Sequence, residues 1–180
     1  MIKILNDLCA SKEMACFYSN YNNTENFNVG VVLAVNEREI ALQLISPDGN
    51  DDGILVTDVD DIFRVERNGL YMEKIKKLCT DFSLSDVRDQ IDENKIFESI
   101  LSAASVAKEI VSLELVNSGI YDVDGFVEAV DEGGCTIKQI DEYGYEDGYS
   151  YVEIDNITQL AYSREEEKRI LKLWNLNKSL

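Results

Sequence analysis

The sequence predicts a mainly β protein with flanking helices (α+β), built from two tandem copies of one five-stranded small barrel. Three observations carry this prediction. Residues 30–78 repeat as residues 125–173, and about 14 of the 49 aligned pairs are identical without a gap. Each copy holds about five short apolar stretches, and a glycine stands inside the most apolar one. A repeat of this length corresponds to a whole small domain rather than to one solenoid unit.

The repeat also predicts the domain organisation. Ser83 followed by Asp86 is a pattern that starts helices, and Val87 with Ile91 favours a helical segment between the copies. The predicted parts are a first small-barrel repeat (1–82), a helical connector (83–95) and a second small-barrel repeat (96–180).

Apolar spacing predicts the elements of the first copy. Ile4 and Leu8 lie on one face of a short helix that ends near residue 10. Ile40 and Leu42 alternate with Ala41 and Gln43, which is the period of a half-buried strand. Gly30 permits the sharp bend that a closed small barrel requires. The predicted strands are 14–19, 27–35, 40–44, 54–59 and 62–65, followed by a helix at 70–78.

The second copy is predicted in the same order. A helix opens it near residues 97–106, and Ile170, Leu173 and Trp174 form the apolar stripe of its closing helix at 164–175. We expect Trp174 to lie in the core or to pack between the domains. The predicted strands of this copy are 109–116, 123–130, 136–140, 149–154 and 157–160.

Two short patterns in each copy resemble the halves of an Sm-type motif. The first halves read Gly30-x-Val32-x-x-Val35-Asn36 and Gly125-x-Val127-x-x-Val130-Asp131. The second halves end in Asp60-Asp61-Ile62-x-x-Val65 and Asp155-Asn156-Ile157-x-x-Leu160. Each unit therefore resembles the Sm-like and SH3-like small barrels, and the arrangement is similar to uncharacterised bacterial proteins with paired barrels.

The resemblance implies a five-stranded barrel and, since Sm-like proteins are typically RNA-binding rings, an association with RNA. The base-contacting asparagine of that family would fall near Ile40 and Cys135. Its Arg-Gly pair would precede Ile62 and Ile157. Neither feature is present in this sequence.

Charge and composition limit the kinds of partner that this protein is expected to have. The chain of 180 residues carries a formal net charge of −18, which repels nucleic-acid phosphates and anionic membranes and attracts a basic protein. The alternative is that the charge serves solubility alone. No apolar run spans a bilayer, no signal peptide is recognisable, and the four cysteines form no C-x-x-C pair. We therefore expect a cytoplasmic protein with reduced thiols and a protein partner, without a nucleic-acid or membrane partner.

Catalysis is not expected. The chain contains no histidine, so it lacks the commonest general base and metal ligand. No phosphate-binding loop or dinucleotide fingerprint occurs. Asp60 and Asp61 are adjacent and would point to opposite faces of a strand. We predict no cofactor and no catalytic residue.

One segment resembles the first half of a calcium loop. Asp48, Asn50 and Asp52 supply oxygen atoms at alternate positions before Gly53. The twelfth position, where a glutamate is required, is Val59. The alternative, which we prefer, is that Asp52-Gly53 and its counterpart in the second copy form structural turns.

Four tyrosines of the second copy form the candidate binding surface: Tyr143, Tyr145, Tyr149 and Tyr151. They flank a predicted turn at 146–148, and each pair has the spacing of one strand face. Tyrosine is favoured at protein interfaces because it buries a large area and keeps a polar tip. Packing of these rings across strands, or against the other domain, is the alternative.

These observations support three hypotheses. The first is a non-catalytic binding or adaptor module of two Sm-like barrels that engages a protein partner. The second is an RNA-associated Sm-like protein. The third is a calcium-binding or catalytic protein.

Overall fold

The computed structural model describes residues 1–80 and 82–179, and it divides the chain into two compact units. The first unit is Met1–Ile96 and the second is Phe97–Leu180. Asp81 and Leu180, which belong to the predicted repeats 1–82 and 96–180, lie outside the described residues.

In the first unit one helix precedes the strands and another follows them, because the spacing of apolar residues changes there between the helical and the alternating pattern. Helix α1 buries Leu5 and Leu8, and helix α2 buries Met72 and Ile75. The elements are α1 (Ile2–Ser11), β1 (Ala15–Tyr18), β2 (Asn28–Val35), β3 (Glu39–Ile45), β4 (Asp51–Asp58), β5 (Arg64–Glu66) and α2 (Leu70–Leu78).

The second unit repeats this order. Its elements are α3 (Ile96–Ala107), β6 (Ile110–Leu115), β7 (Val123–Val130), β8 (Gly134–Ile140), β9 (Glu146–Glu153), β10 (Ile157–Tyr162) and α4 (Glu165–Lys178). Only the first residue of α3 lies in the first unit. Between α2 and α3, the predicted connector 83–95 contains one short 3-10 helix, Asp86–Gln90, which the Ser85 hydroxyl caps by accepting from the Val87 amide.

The strands of each unit have the same order. The order is β5-β1-β2-β3-β4 in the first unit and β10-β6-β7-β8-β9 in the second, with antiparallel neighbours throughout. The prediction of a mainly β chain with flanking helices is confirmed. The order places β4 and β9 at equivalent positions, so the two strands can be compared residue by residue.

Gly30 and Gly125 occur where two strands approach closely. A Cβ atom at Gly30 would lie 2.5 Å from the Gln43 carbonyl oxygen, and one at Gly125 would overlap the Lys138 carbonyl oxygen. The register shifts a few residues later in both β2 and β7. A side chain at either position would collide with the neighbouring strand, and glycine avoids that collision; the bend predicted from the sequence stays a prediction.

The turn that joins the third and fourth strands of each unit was predicted at the wrong glycine. Gly49 and Gly144 form the turns, with φ of 84° and 80°. Gly53 and Gly148 instead lie inside β4 and β9 at register shifts, with positive φ. The Asp-Gly pairs are therefore strand bulges rather than turns, because one extra residue in the strand requires a left-handed φ that glycine adopts without strain.

The apolar residues form separate clusters in the two units. Of the buried clusters in the first unit, one contains Leu5, Leu8, Phe17, Val32, Ile40 and Leu42, among others, and a second surrounds Met72 and Ile75. In the second unit a cluster of Ile110, Ile140 and Ile170 packs against Phe126, Leu171 and Trp174.

Candidate functional site

The β8–β9 hairpin turn presents the first two candidate tyrosines. The Asp141 carboxylate accepts hydrogen bonds from the amides of Tyr143 and Tyr145, at 3.0 and 2.7 Å. The Asp141 amide donates to the Tyr145 carbonyl at 2.9 Å, which closes the turn. The aspartate side chain thus replaces backbone partners within the turn, and both tyrosine side chains are left at the surface.

The other two tyrosines lie on strand β9. Tyr149 stands opposite Lys138 and Tyr151 stands opposite Thr136 on β8. Because the two tyrosines are two residues apart, they share one face of the sheet. The bulge at Gly148 lies between them and the turn, so the four tyrosines do not flank a turn at 146–148 as predicted.

All four tyrosine side chains are exposed, and we call them the tyrosine surface. Tyr143, Tyr145, Tyr149 and Tyr151 are 65%, 58%, 60% and 58% exposed. Within residues 1–80 and 82–179, none of their rings contacts another aromatic ring. The four rings are therefore exposed, although the Tyr151 ring also lies across the neighbouring strand over Gly134.

Strand β9 also leaves backbone groups accessible. In the described part of the chain it has one strand neighbour, β8, so its outer edge is unpaired. The equivalent residues of β4, Ile54 and Val56, are 2% and 0% exposed. The same two repeat positions therefore hold buried aliphatic residues in the first copy and exposed tyrosines in the second. An unpaired strand edge is a template for a further strand.

Carboxylates surround the tyrosine surface, and one of them is joined to a tyrosine. The Tyr151 hydroxyl donates to the Asp131 carboxylate at 3.1 Å. The amides of Gly133 and Gly134 donate to the same carboxylate at 2.9 Å each. These donors lower the pKa of Asp131, with the Gly133 amide as the largest cause. The pair therefore presents a negative charge beside an exposed ring at neutral pH.

The cation nearest to this face is already paired. The Lys138 ammonium lies 2.6 Å from the Glu146 carboxylate, and this hydrogen bond raises the pKa of Lys138. It also lies 5.1 Å from the centroid of the Trp174 ring. Lys138 is thus held by β9 and α4. No described lysine or arginine forms an ion pair with Asp131.

The first unit shows how a tyrosine and a carboxylate hold an arginine. The Tyr18 hydroxyl donates to Glu66 at 2.7 Å, and the Arg64 guanidinium lies 4.4 Å from the centroid of the Tyr18 ring. Arg64 is also paired with Glu66. Here one guanidinium contacts a ring face and a carboxylate at the same time. Tyr151 and Asp131 form the same kind of pair without an arginine.

The calcium candidates of the first unit do not form a metal site with the described acidic and thiol groups. Asp48 and Asn50 are exposed in the β3–β4 turn, and Asp52 follows them in strand β4. The described residues contain no group of three or more histidine, cysteine, aspartate or glutamate side chains arranged to hold a metal ion. The Asn50 amide donates to the Ser46 hydroxyl, which is the contact of a structural turn.

A buried polar cluster in the second unit was not anticipated from the sequence. The Ser112 hydroxyl donates to Glu167 at 2.7 Å, and the Arg164 amide donates to the other oxygen of Glu167 at 3.0 Å. Asp124 also contacts Ser112. Glu167 is the third residue of α4, where a glutamate caps free backbone amides. The cluster therefore stabilises the start of a helix.

The four cysteines are free thiols in the structure. Burial raises the pKa of Cys16 and of Cys135 to about 11. A thiol with such a pKa is protonated at neutral pH and is a poor nucleophile. These two cysteines therefore have packing roles.

The position of Trp174 agrees in part with the expectation that it lies in the core or between the domains. Its half-buried ring packs against the core cluster of Ile110, Ile140 and Ile170, and two lysine ammonium groups lie over it. The one available signal was that the single tryptophan of the chain stands on the closing helix of the second copy alone.

The helices of the described part of the chain are too short or too polar to cross a bilayer. Comparison with protein-family models, with curated proteins and with solved structures found no match.

Proposed function

We propose that this protein is a non-catalytic binding module that engages a basic protein through the tyrosine surface of its second unit. The observation that carries the proposal is the exposed pair of Tyr151 and Asp131, which lacks a cation such as the Arg64 guanidinium that joins Tyr18 and Glu66, a pair of the same kind elsewhere in the chain. A partner arginine would supply it. The guanidinium would contact the Tyr151 ring face and the Asp131 carboxylate at the same time, so recognition favours arginine over an uncharged side chain.

The surrounding charge supports a basic partner. Glu142, Glu146, Asp147 and Glu153 are exposed close to the tyrosines in sequence. Such a cluster accelerates encounter with a positively charged surface and repels nucleic acid. The exposed edge of β9 supports an extended partner segment, since a strand added there would gain main-chain hydrogen bonds.

In this proposal each unit is a small barrel of the Sm-like or SH3-like type. Its support is the shared strand order and the close approach of neighbouring strands at Gly30 and Gly125. A barrel curls so that one face of five short strands is buried. The protein is cytoplasmic in this proposal, in line with its free thiols.

The test is affinity capture of the tagged full chain from its own lysate, with and without RNase. Three proteins are compared: the wild type, the double variant Tyr149→Ala/Tyr151→Ala, and the control Tyr21→Ala. Tyr21 is 63% exposed but lies in the first unit. We expect a partner that survives RNase, is kept by the control and is lost from the double variant.

The captured partner is then purified and its binding is measured directly. We expect the double variant to bind about five- to thirtyfold more weakly, since exposed ring and ion contacts together contribute on the order of 1–2 kcal/mol. Substitution of the partner's arginines by glutamine should have a similar effect. Recovery of RNA, with partners lost after RNase, would contradict the proposal and favour an RNA-associated protein. A partner equally bound by both variants would show that the surface is wrong.

A further inference from the structure

A cavity of about 450 Å³ opens in the second unit beside Trp174. It lies between the end of α3, strands β7 and β8, and helix α4. Its size falls within the range of roughly 300–1,000 Å³ that is typical of small-molecule sites. Its walls include two aromatic rings and three lysines, namely Phe126, Trp174, Lys108, Lys138 and Lys178.

Trp174 provides a firmly held aromatic surface in this cavity. Its ring centroid lies 5.5 Å from that of Phe126 at an interplanar angle of 53°. Both rings pack against the buried cluster of Ile110, Ile140 and Ile170. A ring held in this way loses little conformational freedom when a ligand stacks on it.

Lysines are concentrated at this place, in contrast to the acidic chain as a whole. Lys178 lies 4.2 Å and Lys138 lies 5.1 Å from the Trp174 ring centroid, measured from each ammonium nitrogen. Lys138 is paired with Glu146, whereas Lys178 has no carboxylate within 4.0 Å in the described part of the chain.

The acidic residues at the cavity equal these lysines in number once Glu146 is included. Glu109 accepts a hydrogen bond from the Tyr162 hydroxyl and is thereby engaged within the fold. Glu128 is exposed at the cavity wall. With Glu146, which pairs with Lys138, three glutamates meet three lysines, in a chain that has 35 acidic and 17 basic residues. The cavity therefore repels an anion less than the rest of this acidic surface does, and Lys108 and Lys178 are the lysines left to pair with one.

The first unit covers the corresponding surface with its own chain. Gln43 stands at the repeat position of Lys138. Its side-chain amide donates to the Ser83 carbonyl at 3.1 Å and accepts from the Ser85 amide at 2.9 Å. Phe82 packs on the adjoining apolar cluster. In the second unit α4 instead continues to Lys178, and the space beside Trp174 remains open.

We propose that this cavity binds a small aromatic anion, with its ring stacked on Trp174 and its anionic group paired with Lys178 and Lys108. The ligand ring takes the position over the indole that the Lys178 ammonium occupies in the free protein. The ammonium then turns to the anionic group and forms a charge-assisted hydrogen bond. Both an aromatic phosphate and an aromatic carboxylate combine such a ring with an anionic group. The site goes beyond the tyrosine surface and uses none of the four tyrosines.

The single tryptophan allows a direct test with the full chain, because its fluorescence reports on this cavity alone. Adenosine monophosphate represents the aromatic phosphates and benzoate the aromatic carboxylates. Adenosine, benzamide and inorganic phosphate are the matched probes that lack either the charge or the ring. We expect a saturable fluorescence change with at least one aromatic anion and none with the matched probes at the same concentration. Which anion binds distinguishes phosphate from carboxylate.

The variants test the assigned residues. Lys178→Glu should raise the dissociation constant by about tenfold or more, since it replaces an attractive ionic contact by a repulsive one. Lys172→Glu changes the charge of the same helix equally, but Lys172 does not line the cavity, so binding should be unchanged. Trp174→Phe, followed by calorimetry and checked for folding by circular dichroism, should weaken binding while it keeps an aromatic ring.

Three results would overturn the proposal. The first is the absence of a saturable response to both anions up to about 10 mM, a range that covers even weak millimolar binding. The second is an equal response to adenosine, benzamide or inorganic phosphate. The third is equal binding by Lys178→Glu and Lys172→Glu.

Discussion

At the scale of single residues, burial costs this protein stability at Asp124. Desolvation raises the pKa of this carboxyl most, its contact with Ser112 lowers that pKa, and the neighbouring carboxylates of Glu167 and Glu166 raise it further. A raised carboxyl pKa means that the folded state binds the proton more tightly than the unfolded state. The resulting stabilisation is complete below the unfolded pKa and is lost as pH rises through the folded pKa.

We therefore expect Asp124→Asn to be more stable than the wild type at pH 7. The amide carries no charge to desolvate and can still hydrogen-bond to Ser112. Because the pKa of the wild-type carboxyl is raised, more of it is protonated in the folded protein at about pH 4 than at pH 7, so the advantage of the variant should shrink. Urea midpoints at both pH values measure this. Asp147→Asn, at an exposed position, is the control. A variant less stable than the wild type at both pH values would contradict the prediction.

At the scale of elements, the β8–β9 hairpin depends on one glycine that packs against a helix. Gly144 has a φ of 80°, and a Cβ atom there would lie 2.6 Å from the Trp174 backbone nitrogen. Gly49 makes the same approach to Cys79 in the first unit. Each turn is thus held against the closing helix of its own unit, which explains why the glycine occurs in both copies.

We expect Gly144→Ala to destabilise the protein more than Gly148→Ala. Both substitutions force alanine into a left-handed conformation, at a cost of about 1–3 kcal/mol. Gly148 has no atom within 4 Å of the added methyl group, so it carries the backbone cost alone. Gly144 adds the overlap with α4. The free energy of unfolding in urea separates the two, and equal losses would show that the helix moves away without cost.

At the scale of the whole molecule, the net charge of −18 acts against the compact state. Like charges repel more strongly when the chain is folded, and salt screens this repulsion. We expect the melting temperature to rise when sodium chloride is increased from about 20 mM to about 300 mM, over which the screening length falls severalfold.

Calcium chloride at matched ionic strength is the control for the calcium hypothesis. If Asp48, Asn50 and Asp52 form only a turn and a strand, calcium should raise the melting temperature no more than sodium does. A larger rise with calcium that disappears in Asp48→Asn would indicate a specific site, because a ligand that binds only the folded state stabilises it by mass action.

Much of this fold could be predicted from local sequence alone. The period of apolar residues depends on the backbone geometry of each element, so helices and strands were found close to their observed bounds. The repeat located both copies because equivalent folds need similar residues at equivalent core positions. Gly30 and Gly125 were also singled out from the sequence, since a glycine inside an apolar strand usually marks a bend or a close approach of two backbones.

The errors arose where local patterns are ambiguous. An Asp-Gly pair is equally compatible with a turn and with a bulge, because both require a left-handed residue. The pairing register between β8 and β9 decides between them, and it depends on residues distant in sequence. The tyrosines were identified from composition and spacing, but the same spacing fits packed and exposed rings.

The sequence by itself therefore determined the number of copies, the order of their helices and strands, the acidic charge and the tyrosines as candidate contacts. Only the tertiary structure decided that those tyrosines are exposed at an unpaired strand and its turn, that Tyr151 joins Asp131, and that Lys138 of β8 lies over the Trp174 ring. The physical reason is distance along the chain. Periodicity reports the contacts of near neighbours, whereas exposure, charge pairing and cavities depend on which distant segments fold together.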